Sequence, residues 1–453
     1  MTWGFVMTFE EAELSGTSNP VPGTMIAGAG RSSGFNPNDL QSSGFVSALA
    51  GHLVANPQWL LALFRRFWPI PRFRNWAMVT RYDDVREVLG QDQIFQVPFG
   101  DKVKALNDGP NFLLGMQDCP DYRRYRLQVM QAFRAEDIAS VVTPQAARFA
   151  TDIVAKANGR LDAVQDLITL VPTLISENYY GVPVPDKVPF GQWTIAMSTF
   201  MFGDPTDNPK YRRCALAAGE CVRPVIDRAI ATARTALGQP DRDRSQPGGG
   251  SDTVLARLIA MQQAGAEGLT DSVVRAYLIG MITGFVPTNT MAAGHMLEML
   301  LRRPDFMAQT RAAALAGDDA LLKRCLFEAM RFRPLNPGPF RICAQDYTIA
   351  KGTSRAKTIK AGTKFLAGTQ SAMFDERHVT APYDFNPERP PADYMLFGYG
   401  LHWCIGASIA EAQITQTLKA LLIKNNLRRA PGKAGQLQLL GPFPAHLEVE
   451  FDP

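Results

Sequence analysis

Apolar side chains recur at intervals of three and four residues along most of this chain, a spacing that predicts amphipathic α-helices. The predicted helices cover 57–68, 83–89, 119–133, 144–157, 166–180, 189–202, 210–237, 270–302, 304–316 and 318–332, and a final one begins near Cys404 and ends at Leu422. Alternating apolar and polar positions, which indicate strands, occur at 73–81 and within 340–370. The pattern therefore predicts a mostly α fold with a minor β part, built as a single unit.

Four stretches show no clear period. Residues 93–117 are rich in apolar side chains but irregular, and long irregular stretches inside a compact domain are usually functional. Residues 238–251 form a polar, Gly/Pro-rich segment that is either an exposed loop between helices or an interdomain linker. Residues 372–396 are irregular as well. Residues 1–43 are predicted to be a flexible N-terminal extension, which leaves 44–453 as one domain.

Composition excludes several classes of protein. With 453 residues, of which 46% are hydrophobic and 20% charged, the chain can build a core large enough to enclose a cofactor. A net charge of +4 is too small to indicate nucleic-acid binding. We expect neither a membrane anchor nor a signal peptide, because no run of 18 apolar residues exists and the N-terminus contains several acidic residues. The six cysteines show no metal-ligand spacing, which favours free thiols in a reducing cytoplasm.

One cysteine stands in an unusual setting, the segment Phe397-Gly398-Tyr399-Gly400-Leu401-His402-Trp403-Cys404-Ile405-Gly406. Its glycines allow a tight backbone loop to approach a large, flat group. Because a helical pattern begins directly after the cysteine, the helix dipole and nearby N–H groups should favour a thiolate. A thiolate is a strong axial ligand for haem iron. The alternative is a buried free cysteine in a glycine-rich turn.

The segment resembles the cysteine loop of the cytochrome P450 family, Phe-x-x-Gly-x-His-x-Cys-x-Gly, in the soluble bacterial type. The resemblance implies a single-domain P450 fold that binds haem b (iron protoporphyrin IX) between the long distal helix 270–302 and the proximal helix that follows Cys404. It assigns Cys404 as the iron ligand. It also places Phe397, Gly398, His402 and Gly406 against the cofactor.

Two further motifs support this resemblance. Glu328 and Arg331 are three residues apart on one helical face among apolar neighbours, and Phe385-Asn386-Pro387-Glu388-Arg389 precedes the cysteine loop. The segments resemble the Glu-x-x-Arg helix and the Pro-rich meander of the family. That resemblance implies that Glu328, Arg331 and Arg389 hold the cysteine loop in place and have a structural role.

Haem carries two propionates, which require cations and hydrogen-bond donors. Asp118-Cys119-Pro120-Asp121-Tyr122-Arg123-Arg124-Tyr125-Arg126 resembles the family segment that supplies two of them, which assigns Tyr122 and Arg126. Tyr122 departs from the histidine that the family often has there. The resemblance assigns Arg341 and His402 to the propionates as well. For Arg126 the alternative is an ordinary solvated charge.

Several cations could form a basic patch on the thiolate side of the haem. They are Arg123, Arg124, Lys323, Arg324 and Arg333. Such a patch would steer an acidic electron-transfer protein, although solubilising charge explains each residue equally well. No flavin or iron–sulfur module is encoded, so the resemblance implies that a ferredoxin and an NAD(P)H-dependent reductase supply electrons. We expect a monomer.

The middle of the long helix departs from the family pattern. It reads Ile282-Thr283-Gly284-Phe285-Val286-Pro287-Thr288-Asn289-Thr290, where the family usually has Ala/Gly-Gly-x-Asp/Glu-Thr. The resemblance places Gly284 at the small residue beside the haem and Thr288 at the proton-managing alcohol. Pro287 replaces the acid and leaves the carbonyl of Thr283 without its helical donor. Protons could then come through water held by Thr288 or Asn289, or Pro287 could merely bend the helix.

The resemblance thus implies a monooxygenase that inserts one oxygen atom from O2 into a small apolar organic substrate. We assign Thr288 and Asn289 as catalytic candidates; Asn289 could also be a polar handle on the substrate. Residues 93–117 and 189–237 are expected to form the substrate roof. Candidate wall residues are Phe112, Leu113, Leu114, Phe200 and Phe202, although ordinary core packing is the better explanation for each of them. Two rival functions remain open. One is a peroxygenase or hydroperoxide isomerase, and the other is a non-catalytic haem binder.

Overall fold

The computed structural model describes residues 35–36, 40, 58–205, 207–237 and 252–453. Nearly all of the predicted extension 1–43 and all of the predicted loop 238–251 lie outside the described residues. The α-helices within those ranges are α1 (Gln58–Phe67), α2 (Tyr82–Gly90), α3 (Gly100–Asn107), α4 (Pro120–Ala132), α5 (Thr143–Lys156), α6 (Leu170–Ile175), α7 (Lys187–Ser198), α8 (Pro209–Leu237), α9 (Val254–Gln263), α10 (Asp271–Arg302), α11 (Pro304–Ala316), α12 (Asp319–Phe332), α13 (Thr369–Ala372) and α14 (Ala407–Leu422).

Short strands form the minor β part. They are β1 (Arg72–Phe73), β2 (Trp76–Val79), β3 (Phe95–Gln96), β4 (Arg160–Asp162), β5 (Phe340–Cys343), β6 (Tyr347–Ile349), β7 (Lys357–Ile359), β8 (Lys364–Ala367), β9 (Arg428–Arg429), β10 (Gln438–Leu440), β11 (Phe443–His446) and β12 (Glu448–Glu450). The largest sheet has the order β1-β2-β8-β5-β3, in which β2 and β8 run parallel. The other pairs in this sheet are antiparallel.

Helix α10 forms the centre of the helical core. The Thr270 side chain caps its first turn by accepting from the Val273 N–H, and Arg302 in the last turn complements the helix dipole. Most of its side chains are buried on all sides, as expected of a helix enclosed by others. Helices α7 and α8 cover one side of α10, and α14 packs against another.

The sheet has a smaller core of its own. Strand β5 alternates between half-buried and buried residues, so Arg341 and Cys343 point inward. The backbone of Arg341 pairs with that of Phe365 on β8. The sheet thereby holds a guanidinium inside the protein.

The predicted mostly α fold is confirmed, and several predicted helices agree with the structure to within a residue or two at each end. The predicted helix 304–316 coincides with α11. The irregular assignment of 93–117 was wrong in part, since α3 lies inside it. Helix α3 begins without a side-chain cap and ends at Asp108 in a left-handed conformation, so it lacks the usual sequence signals. The final helix begins at Ala407, three residues after the cysteine.

Candidate functional site

The cysteine loop is a tight turn closed by its own backbone. The Cys404 N–H donates to the Phe397 carbonyl at 3.0 Å, and the Trp403 N–H donates to the Gly400 carbonyl at 3.1 Å. Gly398 and Gly400 have φ values of +82° and +73°, which side chains other than glycine rarely adopt. A Cβ at Gly400 would also lie 2.6 Å from the Leu89 carbonyl oxygen. The glycines are therefore required for the path of the loop.

The Cys404 thiol has a different electrostatic environment from the one predicted. Although part of the residue is exposed to solvent, the surrounding protein raises the pKa of the thiol, and a hydrogen bond with the Gly406 N–H only partly offsets this. The Gly406 N–H acts in the direction predicted for the backbone N–H groups, whereas helix α14 begins three residues after the sulfur. A coordinated metal ion would deprotonate the sulfur.

Helix α4 presents two of the predicted propionate residues to the cysteine loop. The Tyr122 hydroxyl donates to the Leu401 carbonyl at 3.0 Å, and Arg126 donates to the same carbonyl at 2.9 Å. Arg126 also donates to the Tyr122 hydroxyl at 3.1 Å. The rings of Tyr122 and His402 meet edge to face with centroids 5.7 Å apart. The sequence-predicted residues of α4 and of the loop are thus neighbours, and Tyr122 holds the loop directly.

Arg341 is buried, His402 is half-buried, and neither has an anionic acceptor among the described residues. Burial lowers the pKa of Arg341 to about 10. The negative charge of Asp92 acts against this lowering but does not cancel it. Burial, with the charges of Arg341 and Arg126, lowers the pKa of His402 to about 4. Nε2 of His402 has no hydrogen-bond partner in the described part of the chain. Two cations and an unpartnered imidazole nitrogen around one loop fit a dianionic cofactor, because a buried cation such as Arg341 needs an anion and a buried polar nitrogen needs a hydrogen-bond partner.

A buried ion network holds the segment that leads into the loop. Glu328 accepts from Arg331 at 2.9 and 2.8 Å, from Arg389 at 3.4 Å and from the Tyr394 hydroxyl at 2.8 Å. Side chains of Glu328, Arg331 and Arg389 are at most 1% exposed. The predicted trio is assembled as expected. Tyr394 is a further member that no sequence pattern indicated.

One face of α10 is open, and it contains two small residues four positions apart, Gly284 and Thr288. A Cβ at Gly284 would meet no described atom within 4 Å, and Gly284 and Thr288 are the more accessible residues of this turn. A Cβ at Gly280 would lie 2.2 Å from the ring of Phe112, so that ring lies directly on the helix. Phe112 is therefore a buried residue beside the small-residue face, whereas Phe200 is fully buried with its ring centroid 4.7 Å from the Lys102 ammonium.

Thr288 and Asn289 differ in what their side chains contact. The Thr288 hydroxyl donates back to the Gly284 carbonyl, on the open face. The Asn289 amide is buried and donates to Gln413 of α14 at 2.8 Å. The structure thus disagrees with a substrate handle at Asn289, because its amide is committed to joining α10 to α14. This partner lies 124 positions away in the sequence, so no local pattern could have revealed it.

Pro287 lies inside α10 and is buried. Because proline has no N–H, the Thr283 carbonyl lacks its helical donor. The Thr283 hydroxyl is also buried and has no hydrogen-bond partner among the described residues. The Thr283 hydroxyl is therefore unsatisfied among the described residues, and the Thr283 carbonyl lacks its usual helical donor, one turn before the position where the family pattern has an acid.

Most cations of the predicted basic patch are ion-paired within the chain. Arg123 pairs with Asp118 at 2.6 Å, Arg124 with Asp121 at 2.7 Å, Lys323 with Glu411 at 3.1 Å and Arg324 with Glu388 at 2.8 Å. The fifth, Arg333, is half-buried, and burial lowers its pKa. These residues consequently offer less net charge to a partner than their count in the sequence implies.

A helical fold with a glycine-framed cysteine, buried donors around it and a small-residue face on a long helix defines the haem–thiolate class of oxidoreductases. The chain belongs to the cytochrome P450 family, because the family model "Cytochrome P450" matches residues 64–440. Members of this family are haem-iron monooxygenases.

Curated relatives are bacterial P450 enzymes. The cyclomarin C epoxidase CymV of Salinispora arenicola is 25% identical over 79% of this chain and 83% of its own length. The mycinamicin IV hydroxylase/epoxidase of Micromonospora griseorubida is 26% identical over 78% of this chain and 82% of its own length. These identities do not determine the reaction of this chain.

Solved structures show the same fold. CYP109E1 from Bacillus megaterium in complex with testosterone superposes with a TM-score of 0.72 at 21% identity, covering 89% of this chain and 100% of that one. The Tepidiphilus thermophilus P450 heme domain has a TM-score of 0.72 at 20% identity, with 92% and 96% covered. Among the described helices, none combines the length and apolar character needed to cross a bilayer.

Proposed function

We propose that this protein is a haem b monooxygenase that inserts one oxygen atom from O2 into a C–H or C=C bond of an apolar organic molecule. The observation that supports this most strongly is that Arg126 and Arg341 lie beside the loop that contains His402 and Cys404. When bound, haem would supply the iron centre at which dioxygen is activated. The two named relatives are an epoxidase and a hydroxylase/epoxidase, which supports both types of bond as targets.

The chain's own residues would bind and orient the cofactor. Cys404 would ligate the iron through its sulfur, while Arg126 and Arg341 would neutralise the propionates and His402 would donate from Nε2. Phe397, Gly398 and Gly406 would form the surface against one face of the ring, because their small size or flat side chain allows close approach. Gly284 of α10 would do the same on the other face.

Thr288 would manage protons at its Oγ1. Its hydroxyl is held by the Gly284 carbonyl, so its oxygen lone pairs remain available to accept a hydrogen bond from the open side. Pro287 cannot transfer a proton, so we propose that water replaces the missing acid as the proton source. Oγ1 would keep that water in position.

A peroxide-driven reaction is the second candidate, and Pro287 is the observation that favours it. Hydrogen peroxide already contains the protons that a distal acid would otherwise deliver. A hydroperoxide isomerase would need neither protons nor external electrons. The O2-dependent reaction, by contrast, requires an external ferredoxin and an NAD(P)H-dependent reductase.

The first experiment tests the ligand. The reduced, CO-bound holoprotein should show the absorption band of thiolate-ligated haem, and Cys404→Ser should lose it. Cys221→Ser, on α8, is the matched control and should keep the band. If Cys404→Ser keeps the band, the iron ligand has been assigned wrongly.

The second experiment separates the candidate functions. A spectral titration with steroids, terpenes, fatty acids and small aromatics would first identify a bound molecule; steroids are the first choice because CYP109E1 was crystallised with testosterone. That molecule is then incubated with ferredoxin, reductase and NAD(P)H, or with hydrogen peroxide alone. We expect product in the first mixture. Product only with peroxide would favour the peroxygenase, and no product in either would favour a haem binder.

A further inference from the structure

Thr283, on α10, has a buried hydroxyl that its own helix does not use. Other buried helical threonines of this chain donate to the carbonyl four residues earlier, at 2.7 or 2.8 Å; these are Thr173, Thr199, Thr290 and Thr310. The same hydrogen bond from Thr283 would end on the Ile279 carbonyl, yet Oγ1 of Thr283 has no hydrogen-bond partner among the described residues. Its hydroxyl is therefore turned away from the helix backbone.

A buried hydroxyl without a partner is unfavourable, because it has given up its hydrogen bonds to water and gained none in return. The Thr283 side chain is fully buried, so solvent does not supply the missing bond. Valine would fill nearly the same space without this cost. The hydroxyl thus marks a position at which a bound molecule can complete the hydrogen bonding.

The location of Thr283 identifies that molecule. Thr283 lies three residues after Gly280 and directly before Gly284, and residues three and four apart share one face of a helix. The Phe112 ring covers this turn at Gly280, whereas a Cβ at Gly284 would meet no described atom within 4 Å. The hydroxyl therefore borders the open face of α10, where the proposed function brings cofactor and substrate together.

The second threonine of this face cannot take the same role. The Thr288 hydroxyl already donates its proton to the Gly284 carbonyl. Of the two hydroxyls, that of Thr283 is the one with a proton to offer. The neighbouring Phe112 ring and the two glycines present only carbon from their side chains or no side chain at all, so one polar contact would fix the orientation of an otherwise apolar molecule.

We infer that Thr283 donates a hydrogen bond to an oxygen atom of the substrate, and that this protein takes apolar molecules which carry a ketone or hydroxyl group. This inference rests on the proposed function, because it requires a substrate on the open face of α10. Since the Thr283 side chain is enclosed, a substrate reaches it only when the Phe112 ring moves aside. Thr283 is then a residue that selects the substrate and takes no part in the transfer of oxygen.

Titrations of the holoprotein with matched ligands, followed by absorption spectroscopy and calorimetry, test the inference. Menthone, menthol and p-menthane share one skeleton and differ in their oxygen substituent; adamantanone, adamantanol and adamantane form a second set. Thr283→Val should weaken binding of each ketone and alcohol by about tenfold, because one hydrogen bond is lost. The dissociation constants of the two hydrocarbons should stay unchanged.

Two further variants serve as controls. Thr283→Ser keeps the hydroxyl and should retain the affinity for ketones and alcohols. Thr415→Val is the matched control, because Thr415 of α14 is also buried and its Oγ1 also lacks a partner among the described residues. It should bind every ligand as the unchanged protein does. Equal effects of Thr283→Val on ketones and hydrocarbons, or of Thr283→Val and Thr415→Val on ketones, would overturn the inference.

Thermal unfolding of the holoprotein without added ligand provides a test that needs no choice of substrate. Thr283→Val should unfold at the same temperature as the unchanged protein or at a higher one, since it removes an unpartnered hydroxyl. Unfolding several degrees lower would show that the hydroxyl already has a partner, such as an internal water, and would overturn the inference. Failure of every ketone and alcohol in both sets to bind would overturn it as well.

The ligand titrations and the oxidation assay fail independently. A preference for ketones that depends on Thr283, without product formation from any ligand, would keep the binding role and reject the monooxygenase. Product formation from hydrocarbons and ketones alike, with no effect of Thr283→Val on binding, would reject only the role of Thr283.

Discussion

Replacing Glu328 by glutamine should destabilise this protein strongly, because two buried guanidinium groups depend on that carboxylate. The side chain is fully buried and accepts hydrogen bonds from Arg331, Arg389 and the Tyr394 hydroxyl. Glutamine has nearly the same shape but no charge, and its amide nitrogen cannot accept. Arg331 would therefore stay buried without an anion, and Arg389 would keep only Asp393, at 3.8 Å.

The chain contains a well-matched exposed pair for comparison. Arg331 and Glu328 are 2.8 Å apart, as are Arg324 and Glu388, but the side chains of the second pair are 41% and 69% exposed. Removing one partner of a buried pair costs about 3–5 kcal/mol. An exposed pair contributes about 0–1 kcal/mol. The two substitutions should thus differ by about 3 kcal/mol.

Urea unfolding of the holoprotein, followed by circular dichroism, measures this difference. With an m value of about 3 kcal/mol per M, Glu328→Gln should unfold at a urea concentration about 1 M lower than Glu388→Gln. The Glu388→Gln midpoint should stay within about 0.3 M of the unchanged protein. Equal midpoints for the two variants would refute the assignment of the buried network as a main support of the loop.

Three further predictions concern single positions. Gly280→Ala should cost about 1–3 kcal/mol, since its Cβ would meet the Phe112 ring at 2.2 Å, and Phe112→Leu should restore part of it in thermal unfolding; a neutral Gly280→Ala would contradict that packing. Burial lowers the pKa of His295 to about 3, so stability is fully present above pH 6.5 and falls as the pH drops, by about 2 kcal/mol at pH 5. Urea titrations at pH 7 and pH 5 measure this loss of stability. His295→Gln, whose side chain does not titrate, should lose less stability between the two pH values. Arg126→Ala should speed haem transfer to apomyoglobin several-fold, whereas Arg123→Ala, 71% exposed on the same helix, should not; equal rates would exclude the propionate role.

Local sequence patterns predicted the elements and motifs that are defined by residues close together in the sequence. Helix α10 was expected at 270–302 and spans Asp271–Arg302, because Thr270 caps it and Pro304 begins the next helix. The cysteine loop was recognisable because its glycines, histidine and cysteine all lie within ten residues. The Glu328–Arg331 pair was readable for the same reason, as its members lie three residues apart.

Contacts between distant parts of the chain could not be predicted in this way. Asn289 looked like a residue of the distal pocket until its partner Gln413 was seen on another helix. Lys323 looked like a free surface cation, although Glu411, 88 positions later, pairs with it. Helix α3 has no capping side chain, and Asp108 occupies the left-handed position at its C-terminal end where glycine is usual. The two polar contacts were missed because residues far apart in the sequence form them, and α3 was missed because its ends lack the usual local signals.

Pro287, in the middle of α10, makes the result of a single substitution at that position hard to interpret. Any other residue at position 287 regains an N–H and can complete the hydrogen bond to the Thr283 carbonyl. Installing aspartate would therefore supply a carboxyl group and repair the backbone in a single step. Alanine repairs the backbone alone, so only the comparison of aspartate with alanine isolates the chemistry of the acid. In this chain, Pro287→Asp changes the helical hydrogen bond and the side-chain acid together. A gain in turnover with aspartate alone would therefore not show which of the two had limited the reaction.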